Sequence, residues 1–151
     1  MEFTIETLPD TRIVYVRNIG PYGPQNAQAM ERLKDWANAH ELLTLSSILL
    51  GIPQDHPLLV PPDQCRYDAC LVTQHPIKAG DPLHEAEFEG GTYAVFRIPH
   101  TSEGVQTAWA DAFSTVQKAG YRLNDKPAIE RYSGLLLQQA LCELCVPILR
   151  P

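Results

Sequence analysis

The sequence predicts an α+β fold in which duplicated βαββ modules form one curved antiparallel sheet, with two helices on one face and a pocket between them. Three observations support this prediction. Runs rich in β-branched and aromatic residues alternate with two long segments of helical period, glycines and prolines separate these segments, and their order in the first half repeats in the second. The 151 residues, 44% of them hydrophobic, are enough for one domain with its own core.

The first half opens with a strand at residues 12–19, which is rich in β-branched residues. Two glycines and two prolines then end that strand. Apolar residues recur next at steps of three and four, which predicts an amphipathic helix over 25–40. Two more strands are predicted at 47–52 and 65–73, joined by a proline-rich loop over 54–63.

The second half begins after a predicted turn at Gly80-Asp81-Pro82. Glu85, Glu87 and Glu89 alternate with apolar residues in a half-exposed strand over 83–89, and Gly90-Gly91 is a hairpin signal. A helix capped by Thr101 or Ser102 and ended by Gly120 follows the next strand. The remaining strands are predicted at 92–98, 127–133 and 141–148. Leu135, Leu136 and Leu137 have no place in this pattern, and a contact with a partner or a second copy of the chain is one interpretation of them.

The two halves align as pseudo-repeats of about 1–80 and 81–151. Arg17 and Arg97 end the two leading strands at an offset of 80 residues, and Asp68 and Glu143 become equivalent at an offset of 75. Neither half buries enough apolar area alone, so we expect one joined domain with its ligand cavity in the groove between the helices.

The charge balance argues against contact with nucleic acid. The chain carries 12 basic and 18 acidic residues, a net charge of −6, and no basic cluster, whereas binding to phosphates needs a basic face. No apolar run is long enough to span a membrane, and the first residues do not resemble a signal peptide. We therefore expect no DNA-binding domain, no membrane contact and a cytoplasmic location with reduced cysteines.

Glu143 is the main candidate site residue. It lies in the apolar strand 141–148, beside no Lys or Arg, and an unpaired buried carboxylate is costly. A basic residue distant in sequence, exposure on an outward strand face, or a cationic ligand could each compensate its charge. Asp68 lies in a similar strand, where Arg66 shares its face and offers an ion pair.

Aromatic residues supply the expected walls of the site. A carboxylate surrounded by tyrosine and tryptophan suits a lipophilic cation, because each aromatic face adds about 0.5–2 kcal/mol by cation–π attraction. Aromatic residues at helical spacing are also common in cores, and Trp36 fits that interpretation as well. The candidate ligand-binding residues are Glu143, Trp109, Tyr132, Tyr93, Asp68, Tyr15, Trp36 and Phe113.

The four cysteines do not predict a metal site. Cys142 and Cys145 have a spacing that zinc ligands use, but in a strand three steps place the two sulfurs on opposite faces. Cys65 and Cys70 fail the same test. The histidines show no metal or triad spacing and no phosphate-binding loop is present, so we expect neither metal nor cofactor.

Four motifs in order resemble those of the gyrase-inhibitor-like (GyrI-like) effector-binding family. They are residues 14–22 (VYVRNIGPY), 65–70 (CRYDAC), 89–95 (EGGTYAV) and 143–148 (ELCVPI). This family includes the ligand-sensing domains of AraC-type activators and stand-alone integron cassette proteins that bind cationic drugs. The resemblance implies a hydrophobic pocket with an acidic floor at Glu143, and it places Tyr132 and Trp109 at positions that are aromatic in relatives.

The resulting hypothesis is a non-enzymatic, stand-alone module that binds lipophilic, cationic, drug-like molecules, with a role in transcription regulation or drug protection. Two alternatives stay open. The resemblance also implies hydrolysis of cyclopropane-containing toxins, with Glu143 as the catalytic base, or inhibition of DNA gyrase through the acidic surface around Glu85, Glu87 and Glu89. The partners expected are a small molecule, a DNA-binding regulator or gyrase, and a second copy of the chain.

Overall fold

The structure is a computed structural model that describes residues 1–78, 80 and 83–151. The strands are β1 (Thr4–Leu8), β2 (Thr11–Ile19), β3 (Ile48–Pro53), β4 (Arg66–Val72), β5 (His84–Phe88), β6 (Gly91–Pro99), β7 (Ile129–Ser133) and β8 (Leu141–Pro147). The helices are α1 (Pro24–Ala39), α2 (Ser102–Lys118) and α3 (Gly134–Gln138), and a 3₁₀ turn covers Pro62–Gln64.

All eight strands belong to one antiparallel sheet with the order β1-β6-β8-β7-β3-β4-β2-β5. The order is symmetric about its centre, because β6, β8 and β7 of the second half take the places of β2, β4 and β3 of the first. Arg17 pairs with Asp68 across β2 and β4, and Arg97 pairs with Glu143 across β6 and β8. The predicted α+β class, with duplicated modules in one curled sheet, is confirmed.

Helices α1 and α2 cover the same face of the sheet. Leu33 of α1 packs with Val14, Leu49 and other residues of the first half, and α2 packs with Phe96 and Leu144 of the second. Tyr132 on β7 contacts both clusters, and it is the register partner of Leu49. We call this side the α1/α2 face.

The opposite face has a core of its own, which includes Leu50, Ile52, Cys70, Tyr93, Val95, Ile129 and Cys145. The sheet curls toward this face. Arg131 of β7 bonds to Glu6 of β1 at 3.2 Å, although β8 and β6 lie between their strands.

The edge strands differ from the prediction. Strand β1 was not predicted, and the hairpin expected at Gly90-Gly91 does not form, because β5 pairs with β2 and β6 pairs with β1. The connection at Gly90 instead passes against the β1–β2 connection. Its amide donates to Asp10 at 2.8 Å, and a Cβ at Gly90 would stand 2.0 Å from the Leu8 carbonyl oxygen.

The ends of α2 agree with the capping residues that the sequence predicts, whereas the third helix was not predicted. Thr101 caps α2 by accepting a bond from the Gly104 amide, and Gly120 after that helix has φ +96°. Leu135, Leu136 and Leu137 belong to α3, which Ser133 caps; their contact with a partner stays a prediction. The turn predicted at Gly80-Asp81-Pro82 involves Asp81 and Pro82, which lie outside the described residues.

Candidate ligand-binding site between the helices

The candidate site is built around Glu130, at the centre of the sheet. Glu130 and Tyr132 are two residues apart on β7, so both side chains point to the α1/α2 face. The Tyr132 hydroxyl donates to Glu130 Oε1 at 2.5 Å, and Trp109 Nε1 from α2 donates to Oε2 at 2.7 Å. One helix and one strand therefore hold the carboxylate in a fixed position.

Tyr67 completes the surroundings of Glu130. It can do so because the residue that pairs with Glu130 on the neighbouring strand is a glycine. Gly51 on β3 is the register partner of Glu130. A Cβ at Gly51 would stand 2.5 Å from the Tyr67 hydroxyl oxygen, so the Tyr67 side chain lies across this position. We call Tyr67, Trp109, Glu130 and Tyr132 the Glu130 cluster.

The electrostatics of the cluster are those of a carboxylate with neutral partners. Among the described residues, Glu130 forms no ion pair with Lys, Arg or His. Burial, and after it the charge of Glu130, raises the pKa of both Tyr132 and Tyr67 above the usual tyrosine value. Both hydroxyls therefore keep their protons at neutral pH, and neither removes the negative charge.

Apolar side chains of α1 and α2 extend the cluster on the side where the sequence predicts a groove. Trp109 and Phe113 of α2 have ring centroids 6.1 Å apart. Trp36 of α1 packs against the cluster of core residues that also contacts Tyr132, and it stacks on His40 at 4.6 Å. Among the side chains on this face, those of Glu130, Trp109, Phe113, Tyr132 and Trp36 keep part of their surface exposed.

The expectation that Glu143 lies on the floor of this groove is wrong. Its neighbours Cys142 and Leu144 pack under α2, so Glu143 points to the opposite face. There it is buried and paired, with Arg131 Nε at 2.9 Å and Arg97 Nη2 at 3.8 Å. Its charge is thus compensated by basic residues distant in sequence.

Asp68 also points to the opposite face, where its ion pair differs from the predicted one. Arg17, its register partner, bonds to both carboxylate oxygens, at 2.7 and 2.8 Å, and Gln54 donates to Oδ2 at 3.0 Å. Arg66 pairs with Asp55 instead, at 2.9 Å. The predicted ion-pair role is correct for Asp68, but its partner comes from the neighbouring strand.

Tyr15 and Tyr93 line a cavity of about 230 Å³ on the opposite face, away from the Glu130 cluster. A larger cavity of about 430 Å³ lies between Met1, the end of β6 and the first turns of α2. Its one aromatic lining residue is Phe96, and the charged residues that line it, Arg97 among them, are exposed at its rim. We therefore place the site at the Glu130 cluster.

The four cysteines are buried. Cys142 lies in the core under α2 and Cys145 in the core of the opposite face, as strand alternation predicts. Burial raises the pKa of Cys142 to about 11 and of Cys145 to about 12, so both are unreactive thiols at neutral pH.

Sequence reasoning missed Glu130, although one signal could have revealed it. Tyr132 was a predicted site residue, and the residue two positions before it on a strand must share its face. Arg131, the residue between them, points the other way and pairs with Glu143 and Glu6.

Comparisons with known proteins match the whole chain. The family described as GyrI-like small molecule binding domain matches residues 1–149. The SPbeta prophage-derived protein YosT of Bacillus subtilis (strain 168) is 41% identical over 98% of this chain and 99% of its own. DNA gyrase inhibitor 2 of Dickeya dadantii (strain 3937) is 24% identical over 95% of this chain and 87% of its own.

Solved structures share the fold at low sequence identity. The EcmrR C-terminal domain has a TM-score of 0.78 at 14% identity, with 99% of this chain and 98% of that domain covered; the chain spans 58% of EcmrR in its cryo-EM complex with DNA. SAV2435 bound to tetraphenylphosphonium has a TM-score of 0.62 at 16% identity, covering 99% and 94%. The Vibrio cholerae integron cassette protein VCH_CASS2 has a TM-score of 0.59 at 15% identity, covering 97% and 95%.

Within the part of the chain that the structure describes, no helix has the length and apolar character needed to cross a bilayer.

Proposed function

This chain belongs to the GyrI-like small molecule binding domain family, and we propose that it binds lipophilic cations against Glu130, in the groove between α1 and α2. The observation that carries the proposal is the pairing of Glu130 with neutral donors alone among the described residues. A carboxylate held in this way keeps its charge available for a ligand.

The energies favour a cation with aromatic or aliphatic groups. A unit charge about 4 Å from a carboxylate gains about 4 kcal/mol at an effective dielectric constant of 20. Each aromatic face adds about 0.5–2 kcal/mol, and the partly exposed rings of Trp109 and Tyr132 are available. Apolar substituents of the ligand would be buried against the partly exposed rings of Phe113 and Trp36.

The structural neighbour SAV2435 was solved with tetraphenylphosphonium, a lipophilic cation. The likeness in fold makes this molecule a suitable probe, and the Glu130 cluster gives a physical reason to expect that it binds here.

Isothermal titration calorimetry with tetraphenylphosphonium tests the proposal. Glu130→Gln removes the charge and keeps the shape, so we expect a loss of about 1–3 kcal/mol, which is roughly a 10- to 100-fold rise in Kd. Glu85→Gln is the matched control, because Glu85 is exposed on the edge strand β5. Equal affinity in the wild type and Glu130→Gln would overturn the proposal.

Glu143→Gln separates this proposal from the assignment made from sequence. Glu143 lies on the other face, within ion pairs to Arg131 and Arg97, so we expect affinity for the probe to stay within about twofold. A loss confined to Glu143→Gln, with the variant still folded, would return the anchoring role to Glu143.

A role in transcription regulation would require a protein partner for this chain. The relative YosT is named as a proposed transcriptional regulator, and the structure of EcmrR was solved in a complex with DNA. The net charge of −6 opposes direct contact with DNA here. We expect no shift of duplex DNA in a mobility assay at physiological salt, with or without tetraphenylphosphonium, and a shift by the purified chain would contradict this.

Hydrolysis is the second candidate function, because Glu130 is held by a tyrosine that can donate a proton. Glu130 would take the role that the sequence analysis gave to Glu143, as a base that directs water to a strained ring, while Tyr132 supplies a proton to the opened carbon. Mass spectrometry of a cyclopropane-bearing electrophile incubated with the protein tests this. A ring-opened, hydrated product that Glu130→Gln fails to form would support hydrolysis, and unchanged substrate would exclude it for that compound.

Gyrase inhibition has the exposed Glu85 and Glu87 of β5 as its candidate surface. A supercoiling assay with purified gyrase tests it, and inhibition that survives Glu85→Gln and Glu87→Gln together would exclude this surface.

A further inference from the structure

We propose that the cavity on the opposite face is a second ligand site, which takes a small planar aromatic anion. The cavity, of about 230 Å³, lies between Tyr15 and Arg17 of β2, Tyr93 of β6 and Lys126 of the loop before β7. This volume is below the roughly 300–1,000 Å³ of sites for drug-sized ligands, so it suits one or two fused rings.

The cavity wall includes two basic residues, Arg17 and Lys126, and three acidic residues, Asp68, Glu87 and Glu89. Glu87 is exposed and alternates with Ala86 and Phe88, which pack in the core of this face, so its side chain points to the other face. Asp68 is saturated by two bonds from Arg17 and one from Gln54, so this pair is close to neutral. The Lys126 side chain is 24% exposed and donates to the Gly90 carbonyl at 2.8 Å. Its acidic neighbour Glu89 is 3.9 Å away with an 87% exposed side chain, which makes the pair weak. The ammonium group of Lys126 is therefore able to pair with an anionic ligand in the cavity.

Tyr93 supplies a polar group at the same cavity. The residue is 1% exposed as a whole, and its hydroxyl takes part in no hydrogen bond in the described part of the chain, where Asn26 Oδ1 is the one fully buried side-chain oxygen or nitrogen without a partner. The Tyr93 hydroxyl is therefore open to the cavity, where it can donate to a ligand oxygen. Burial raises the pKa of Tyr93 to about 12, so the hydroxyl is a neutral donor at physiological pH.

Aromatic and aliphatic side chains favour a planar ligand. The guanidinium of Arg17 lies 5.4 Å from the centre of the Tyr15 ring, and Lys126 Nζ lies 5.8 Å from that of Tyr93. Ile13, Ile52 and Ile129 supply apolar lining. A ring would pack on this lining and place its acidic group at Lys126 and the Tyr93 hydroxyl.

The two sites are independent in space, because Ile129 lines this cavity while the adjacent Glu130 points to the α1/α2 face. The two sites should therefore be able to hold their ligands at the same time. This inference does not rest on the proposed function.

Calorimetry with 2-naphthoate tests the second site, with 2-naphthamide as the neutral counterpart. We expect naphthoate to bind at least tenfold more tightly than the amide, with a Kd that is unchanged by saturating tetraphenylphosphonium. Lys126→Gln should weaken naphthoate at least tenfold, whereas Lys126→Arg should keep its affinity within about threefold. Lys118→Gln, at the end of α2, is the control that should change nothing.

Tyr93→Phe should weaken naphthoate about three- to tenfold, because it removes the hydroxyl and keeps the ring. If Lys126→Gln does not fold, the comparison of naphthoate with naphthamide and the Lys126→Arg and Tyr93→Phe variants still decides. No binding at millimolar concentration, equal binding of acid and amide, or competition with tetraphenylphosphonium would each overturn the proposal. Loss of naphthoate binding in Glu130→Gln would place that ligand in the groove instead.

Discussion

Glu130 and Glu143 lie on neighbouring strands and point to opposite faces of the sheet, and their partners differ in kind. Glu143 meets two arginines, whereas Glu130 meets an indole and a phenol. Strand alternation places Glu143 on the same face as Cys145, but a single strand does not tell which of its faces the helices cover. The sequence predicts a carboxylate among aromatic side chains at Glu143, and the structure has that arrangement at Glu130.

At the same scale, Arg131 should be important for stability. Arg131→Met leaves Glu143 buried with only the exposed Arg97, 3.8 Å away, so we expect a loss of about 3 kcal/mol in the free energy of unfolding by urea. Arg131→Met with Glu143→Leu should recover most of that loss, and Arg32→Met on the exposed side of α1 should cost less than about 0.5 kcal/mol. A loss in the double variant as large as in Arg131→Met would refute the assignment.

Gly51 should be needed to keep Tyr67 in the Glu130 cluster. In Gly51→Ala the new methyl group meets the Tyr67 hydroxyl, so we expect weaker binding of tetraphenylphosphonium and a loss of about 1–3 kcal/mol in stability. Adding Tyr67→Phe removes the closest atom and should restore part of the stability. Calorimetry and urea unfolding measure both effects, and an unchanged Gly51→Ala protein would show that Tyr67 is free to move aside.

At the scale of elements, the edge strands are exchanged between the halves. β1 is the first strand of the first half but pairs with β6 of the second, and β5 is the first strand of the second half but pairs with β2 of the first. The sequence predicted β5 as a strand from its alternating glutamates, but it assigned the turn at Gly90 to a hairpin. Pairing between strands that are distant in sequence depends on how the two halves pack together. The local pattern of apolar and polar residues carries no information about that packing.

Removing residues 1–8 tests this exchange. The truncation uncovers β6 and removes Phe3, whose ring lies 5.1 Å from that of Phe96, so amide protection should fall in β6. Strand β2, which follows β1 in sequence, should keep its protection because β4 and β5 cover it. Hydrogen exchange with mass spectrometry reads both strands, and a loss that begins in β2 would contradict the pairing.

At the scale of the whole molecule, the repeat explains why the architecture could be predicted while the carboxylate of the candidate site could not. The order of elements and the offsets of Arg17 with Arg97 and Asp68 with Glu143 define two equivalent modules and their place in one sheet. The proposed ligand site uses residues that are not repeated. Glu130 faces Gly51 across the centre of the sheet, and Trp109 has Ala29 as its equivalent at the offset of 80 residues.

Because the thiols of Cys142 and Cys145 are buried, we predict that the free energy of unfolding of the whole domain decreases at alkaline pH. In the unfolded chain a cysteine ionises near pH 8.5, whereas folding raises the pKa of Cys142 to about 11 and of Cys145 to about 12. Protons are then lost on unfolding, so the free energy of unfolding should fall from about pH 8.5 upward, by up to about 1.4 kcal/mol per pH unit for each thiol. Urea midpoints from pH 7 to 11 measure this decline, and Cys145→Ala should make it shallower. The same slope in both proteins would contradict the assignment.

The most direct test of the central claim is a crystal structure of this protein with tetraphenylphosphonium. We predict that the cation lies on the α1/α2 face, with its phosphorus nearer to the Glu130 carboxylate than to any other acidic group and its phenyl rings against Trp109 and Tyr132. Density for the cation on the opposite face, or beside Glu143, would contradict the account.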